Sequence, residues 1–368
     1  MNKTFTLYFC LCLFFFNANR VMAFISPEMP NNSLDIGEFV VPSTPSIPPP
    51  QINSWAANQT MLKLWQPKAK GQFMMFPPSC LEADSLELVA FYNATGGDNW
   101  TNNSGWLVDD VEDWFGVSVS ADGCSVKVLE MFTGLNTGNN LVGNIPNFDL
   151  PNLETLNLKR NQLTGGIPNF DLPNLEVLWL NTNLLTGEIP DFNLPNLEVL
   201  SLMNTGLTGE IPNFDLPNLE ALSLQINGLT GNLPNFNLPN LEYLGLHDNE
   251  LTGNLPNFDL PNLEIVYLNN NALAGEIPNF DLPNIKILWL YNNGFTGEIP
   301  NFDLPNLEIL LLRNNGLAGE IPNFDLPNLE NLNLSENGLT GEIPNFDFPN
   351  LHSLNLNNNA LTGEIPNF

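Results

Sequence analysis

Residues 150–171 read LPNLETLNLKRNQLTGGIPNFD, and residues 172–193 repeat the phrase as LPNLEVLWLNTNLLTGEIPDFN. Further copies begin at 194, 216, 238, 260, 282, 304, 326 and 348, so ten copies of the 22-residue unit run to residue 368, the tenth one residue short. A unit this short cannot enclose its own apolar side chains; a continuous core forms only when neighbours stack, which makes the array a solenoid. The chain's 368 residues therefore do not translate into a number of globular domains.

The template assigns roles before any comparison is made. Leu153, Leu156, Leu158 and Leu163, with their equivalents, alternate so as to point inward from a short strand and its exit, and successive copies then build a parallel sheet. Asn161 recurs as Asn183, Asn227, Asn249, Asn271, Asn293, Asn315, Asn337 and Asn359, a column whose amides can bond the turning backbone. Thr205 interrupts the column and marks an expected weak point. A phenylalanine recurs every 22 residues from Phe148 to Phe368, which predicts an aromatic spine inside the coil.

The formal charge of −30 comes from 40 acidic against 10 basic residues, leaving no basic stripe for a phosphate backbone. Nucleic acid is excluded as a partner, and an anionic membrane surface would repel the chain. The plainest meaning of the charge is solubility for a long apolar-cored rod.

Ahead of the array the composition changes twice. Residues 1–23 carry Lys3, an apolar run from Phe5 to Phe16 and the small-ended Val21-Met22-Ala23, which reads as a secretory signal. That run is too short to span a bilayer, and no later stretch approaches ~20 apolar residues. Residues 24–78 hold ten prolines, including Pro48-Pro49-Pro50, and read as a linker or stalk. Trp55, Leu62, Leu64 and Trp65 within it either dock on the adjoining domain or form a small adhesive patch. Once the signal is removed, Cys80 and Cys124 are the cysteines left, and two cysteines in an exported chain suggest one disulfide.

The segment 79–124 contains CLEADSLELVAFYNATGGDNWTNNSGWL and DWFGVSVSADGC, and it resembles the amino-terminal cap of leucine-rich-repeat proteins. The resemblance implies a helix from Asp84 to about Tyr92, with Asp84 as N-cap, covering the apolar end of the first repeat. Trp100, Trp106 and Trp114 are expected between cap and stack, with Trp114-Phe115-Gly116-Val117 leading into the first strand. A Cys80–Cys124 bond would close a loop of about 45 residues, on the order of 4 kcal/mol in the chain-entropy picture. Residues 125–149 read as a degenerate repeat in which LVGNIP matches the later LTGxIP while GLNTGNN has slipped register.

From residue 150 the unit is similar to the plant-type repeat LxxLxLxxNxLxGxIP of polygalacturonase inhibitors and receptor-kinase ectodomains, with 22 residues where that unit usually has about 24. The expected fold is a leucine-rich-repeat solenoid of the α/β class, a right-handed curved superhelix of short parallel strands with an irregular convex side and an amino-terminal cap. Phe368 ends a repeat phrase with no capping segment behind it, which predicts end-to-end self-association through an exposed final coil.

Comparison among the copies locates the variable positions. Turns and spine barely change, whereas the outward strand positions pass from Thr155, Asn157, Lys159 and Arg160 to Val177, Trp179, Asn181 and Thr182. In copies five to eight they become Tyr243, Gly245, His247 and Asp248; Ile265, Tyr267, Asn269 and Asn270; Ile287, Trp289, Tyr291 and Asn292; Ile309, Leu311, Arg313 and Asn314. Exposed rings rimmed by polar groups supply rigid contact area with orienting hydrogen bonds. The candidate ligand-binding residues on the concave face are thus Trp179, Tyr243, His247, Tyr267, Trp289, Tyr291, Leu311 and Arg313, with an extracellular protein or polysaccharide as ligand. Two other readings stand beside it: neutral drift on a solvated face, and a structural or adhesive cell-surface spacer whose binding lies elsewhere.

Other chemistries find less support. Glutamates recur at the start of each strand, broken by Lys286 and His352, but a flat row does not supply the converging oxygens of a calcium site. His247 and His352 lie about five coils, roughly 25 Å, apart and cannot share one site. No nucleophile elbow, phosphate loop or zinc spacing accompanies them, so neither a catalytic centre nor a metal or cofactor is expected. The column Thr164, Thr186, Thr208, Thr230, Thr252, Thr296, Thr340 and Thr362 raises ice binding, weakened by gaps at Ala274 and Ala318. Secretion or display at the cell surface completes the reading.

Overall fold

The computed structural model describes residues 80–134 and 136–366; the signal and linker assigned to 1–23 and 24–78 lie outside them. Within the described residues each 22-residue copy makes one turn of a parallel-strand solenoid. Its strand joins a twelve-stranded sheet that begins with β1 (Val117–Val119) antiparallel to β2 (Val126–Glu130) and continues through Thr155–Asn157 to Ser353–Asn355. Register is constant from Leu156↔Leu178 to Leu332↔Leu354, as an unvarying 22-residue spacing requires.

The slip before the array has a definite form. Leu129 pairs with Leu156, an offset of 27 residues, whereas Leu156 pairs with Leu178, an offset of 22. The five extra residues are taken up by a small antiparallel hairpin, β3 (Phe132–Gly134) with β4 (Thr137–Gly138).

The core follows the template. Leu153, Leu156, Leu158 and Leu163 and most of their equivalents are fully buried. The phenylalanine spine forms, with neighbouring rings such as Phe170–Phe192, Phe280–Phe302 and Phe302–Phe324 stacked at 6.5, 6.3 and 6.3 Å. Asn183 shows how the amide column works: its Nδ2 donates to Leu180 O and Leu158 O, while its Oδ1 accepts from Leu163 N. One amide thus ties two coils at three points. Thr205 replaces part of this pattern, the single proton of its Oγ1 facing both Leu202 O at 3.1 Å and Asn227 Oδ1 at 2.6 Å, so the interruption is bridged. A second amide column, in the LPN phrase, carried no prior expectation: Asn174 donates to Pro151 O, and the pattern continues to Asn350 and Pro327.

Behind the spine lies a second strand layer, split into two five-stranded sheets. One runs from Val142–Asn144 to Gly228–Thr230 and the other from Thr252–Gly253 to Gly338–Thr340, with the single bridge Asn232↔Thr252 between them. The glycine of each LTG phrase turns the chain with positive φ; at Gly209, φ is 83° and a Cβ would stand 2.8 Å from Glu188 Cγ.

Ahead of the array, the helix starts differently from the expected Asp84 N-cap. Helix α1 (Glu82–Ala94) starts two residues before Asp84, and Leu81 is its N-cap. Asp84 is buried and accepts a hydrogen bond from Val126 N at 2.7 Å, so its carboxylate anchors the helix to β2 instead of capping it. Phe91 packs on Trp100, Trp106 and Phe148, and the indole N–H groups of Trp100, Trp106 and Trp114 bond Thr95 O, Phe115 O and Asp109 O. Cys80 and Cys124 form a disulfide, closing the cap.

Candidate functional site

Strand pairing places the outward side chains of copies five to eight in rows. Gly245, Tyr267, Trp289 and Leu311 are register partners on consecutive strands, and Tyr243, Ile265, Ile287 and Ile309 form the row before them. Rings on strands about 4.8 Å apart must touch. Tyr267 meets Tyr243 at 5.8 Å, His247 at 5.8 Å and Trp289 at 4.4 Å; Trp289 lies 6.0 Å from Tyr291, over which Arg313 Cζ sits at 4.4 Å. Seven of the eight candidate residues therefore share one continuous patch, Leu311 entering beside Trp289 by register.

Trp179 stands apart. It belongs to the first copies, where Lys159 Nζ lies 4.3 Å from its ring and 4.8 Å from that of Phe132. Burial pulls the Lys159 ammonium below the usual lysine range, against the opposing charge of Glu130. Val199, Ser201, Ala221 and Ser223, small and buried, separate Trp179 from the patch.

The patch is half-buried because its side chains cover one another. Tyr243 is 8% exposed. Its ring folds back across Gly245, where a Cβ would stand 2.7 Å from Tyr243 Oη and 2.9 Å from Gln225 Oε1. Burial, with the neighbouring Tyr267, pushes its phenol well above the usual tyrosine range. Burial also raises Tyr291, opposed by Arg313, and lowers His247, opposed by Asp248. His247 Nε2 lies 3.8 Å from Asp248 Oδ2, beyond hydrogen-bond reach, and a neutral imidazole makes no ion pair there.

Along one rim runs a chain of amides. Asn314 donates to Asn292 Oδ1, Asn292 to Asn270 Oδ1, and Asn270 to Asp248 Oδ1, at 3.0, 2.6 and 2.7 Å. These residues occupy the positive-φ position of each copy, with φ between 53° and 56°, a conformation asparagine and aspartate tolerate. The other rim is the glutamate row at the strand starts, where Lys286 Nζ bonds Glu264 Oε2 at 2.7 Å. Burial and neighbouring carboxylates raise Glu242 and Glu308 above the usual range.

Three buried polar atoms in the patch have no hydrogen-bond partner among the described residues: His247 Nδ1, Asn269 Oδ1 and Trp289 Nε1. Asn269, an outward strand position outside the candidate ligand-binding set, is 2% exposed. Among the described residues no group of three or more His, Cys, Asp or Glu could hold a metal ion, and no helix is long and apolar enough to cross a membrane.

A family profile, "Leucine Rich repeats (2 copies)", matches residues 151–194 and 327–368. No curated protein sequence matches the chain. Among solved structures it is similar to the plant peptide hormone receptor RGFR1 in complex with RGF2, at 37% identity over 67% of this chain and 42% of that one, with a TM-score of 0.62. It is similar to PEPR1–AtPEP1 at 32% identity over 78% and 46%, TM-score 0.64. A plant ice-binding protein matches at 27% identity over 77% of this chain and 96% of that one, TM-score 0.63. The chain spans less than half the length of the RGFR1 and PEPR1 chains it matches. Repeat phrase, parallel ladder and these likenesses agree: the chain is a leucine-rich-repeat protein.

Proposed function

We propose that this chain is a non-catalytic recognition module, exported and displayed or released outside the cell, that binds a peptide, protein or polysaccharide ligand on the long sheet's outward face at copies five to eight. The observation that carries the reading is the continuous patch from Tyr243 through Tyr267, Trp289 and Tyr291 to Arg313, rimmed by polar residues. The disulfide of the cap fits an oxidising compartment. The similar RGFR1 structure is a peptide hormone receptor in complex with RGF2, which supports a ligand-binding role for the same architecture. The test is binding of the mature chain to an array of glycans and secreted peptides, beside a Trp289→Ala, Tyr291→Ala double variant. Signal lost in the variant is expected; signal retained in full would move the site elsewhere and favour the spacer reading.

A second reading, ice binding, is favoured by the ice-binding neighbour and by the threonine column, in which Thr186, Thr208, Thr252, Thr296, Thr340 and Thr362 are exposed on the second layer. The division of that layer into two sheets shortens any continuous lattice. Thermal hysteresis of the purified chain decides it.

A further inference from the structure

We propose that the ligand of this patch is an uncharged glycan, stacked on the rings of Tyr267, Trp289 and Tyr291 and read by Trp289 Nε1, Asn269 Oδ1 and His247 Nδ1. The inference rests on copies five to eight being the binding face.

The three unpartnered atoms set the hydrogen-bonding demand. An indole N–H only donates, an amide oxygen only accepts, and the imidazole nitrogen does one or the other according to tautomer. The ligand must therefore accept and donate within a small area, and a hydroxyl does both from one atom. A sugar ring offers several hydroxyls at its edge and an apolar C–H face for the aromatic platform. Asn269 lies in the row between His247 and Tyr291, both half-buried, so a rotamer change of either ring opens a path to its oxygen.

The main chain argues against an extended peptide added as a strand. Copies five to eight are interior strands, paired on both sides in the twelve-stranded sheet, so they present no free edge. Charge narrows the class further. Glu242, Glu264 and Glu308 line one rim and the whole chain carries −30, which disfavours an anionic sugar. The ionic groups in the patch are already engaged: Arg313 lies on Tyr291, Asp248 accepts from Asn270, and Lys286 bonds Glu264.

The experiment uses the full mature chain and calorimetry against uncharged oligosaccharides of glucose, mannose, xylose and N-acetylglucosamine, with an oligouronate and a random-sequence peptide library as comparators. Trp289→Ala removes platform and donor together; Trp289→Phe keeps a smaller ring and removes the N–H with the fused five-membered ring; Asn269→Leu keeps the volume and removes the whole amide, acceptor oxygen and NH2 alike. At least one uncharged oligosaccharide is expected to bind, with affinity abolished by Trp289→Ala and lowered about tenfold by Trp289→Phe and by Asn269→Leu. Circular dichroism and melting establish that each variant is folded, and Trp289→Phe stands in if Trp289→Ala is not. Binding of no uncharged sugar, or tighter binding of the oligouronate, overturns the proposal. Peptide binding that Trp289→Ala abolishes would overturn the glycan while keeping the binding face. Ligand binding of any class untouched by every variant would overturn both.

Discussion

Tyr243 lies across Gly245, two residues along its own strand, so closely that a Cβ on Gly245 would meet the phenol oxygen at 2.7 Å. The glycine is a seat for the ring that begins the aromatic patch. Gly245→Ala is expected to lift Tyr243 into solvent. Its phenol, held well above the usual range by burial, would then ionise near ~10, as an exposed tyrosine does. Phenolate absorbance followed through alkaline pH checks this; a titration identical to that of the parent chain would show that the ring had not moved.

Thr205 stands where other copies carry the tying asparagine. Thr205→Asn would offer Leu185 N the acceptor that Asn183 gives Leu163 N, and add a donor toward Leu180 O. Stability is expected to rise by about 1 kcal/mol, after loss of the present Thr205–Asn227 bond is counted. The urea midpoint measures it.

Ile226 occupies the positive-φ position of copy four at φ 58° and is 44% exposed. A β-branched side chain is strained there, whereas asparagine serves in copies six to eight. Ile226→Asn should stabilise by about 1 kcal/mol, and Asn270→Ile should do the reverse by a similar amount or more, since it also breaks two rim hydrogen bonds. Denaturation of the two variants gives opposite midpoint shifts if strain decides.

Glu242 is raised by burial and then by Glu220 and Glu264. A carboxyl with a folded-state pKa above its unfolded value binds its proton more tightly when folded. Its contribution is therefore fully present below the unfolded value near ~4.3 and is lost as pH rises through the raised folded value. Glu242→Gln should raise the melting temperature at neutral pH and flatten its decline between mildly acidic and neutral conditions. Melting curves across that range test it; an unchanged pH slope would remove Glu242 from the account.

The repeat made most of this molecule legible in advance. A 22-residue period carries the inward leucines, the amide column and the phenylalanine spine with it, because each copy solves the same packing problem against an identical neighbour. Positions that differ between copies were legible as variable and aromatic, but not in their arrangement. Trp179 looked equivalent to Trp289, yet the small residues of copies three and four set it apart, where Lys159 covers it. Asn269 and Gly245 were legible as variable outward positions but not as part of the candidate site, because their roles depend on the side chains that fold over them. Asp84 had the composition of a helix cap and went instead to a strand 42 residues away, since a buried main-chain donor at Val126 offered a tertiary partner.

The amide chain of Asn314, Asn292 and Asn270 runs in one direction because of the residue at its end. An asparagine can face either way, but the Asp248 carboxylate can only accept, so Asn270 must turn its NH2 toward it and each amide beyond must follow. One side chain thereby sets the polarity of dipoles three coils distant, and the rim presents an ordered electric texture instead of a scrambled one. With asparagine at 248 that compass would lose its needle: the first rung could turn either face to Asn270, and the direction of the amides beyond would no longer be set from that end.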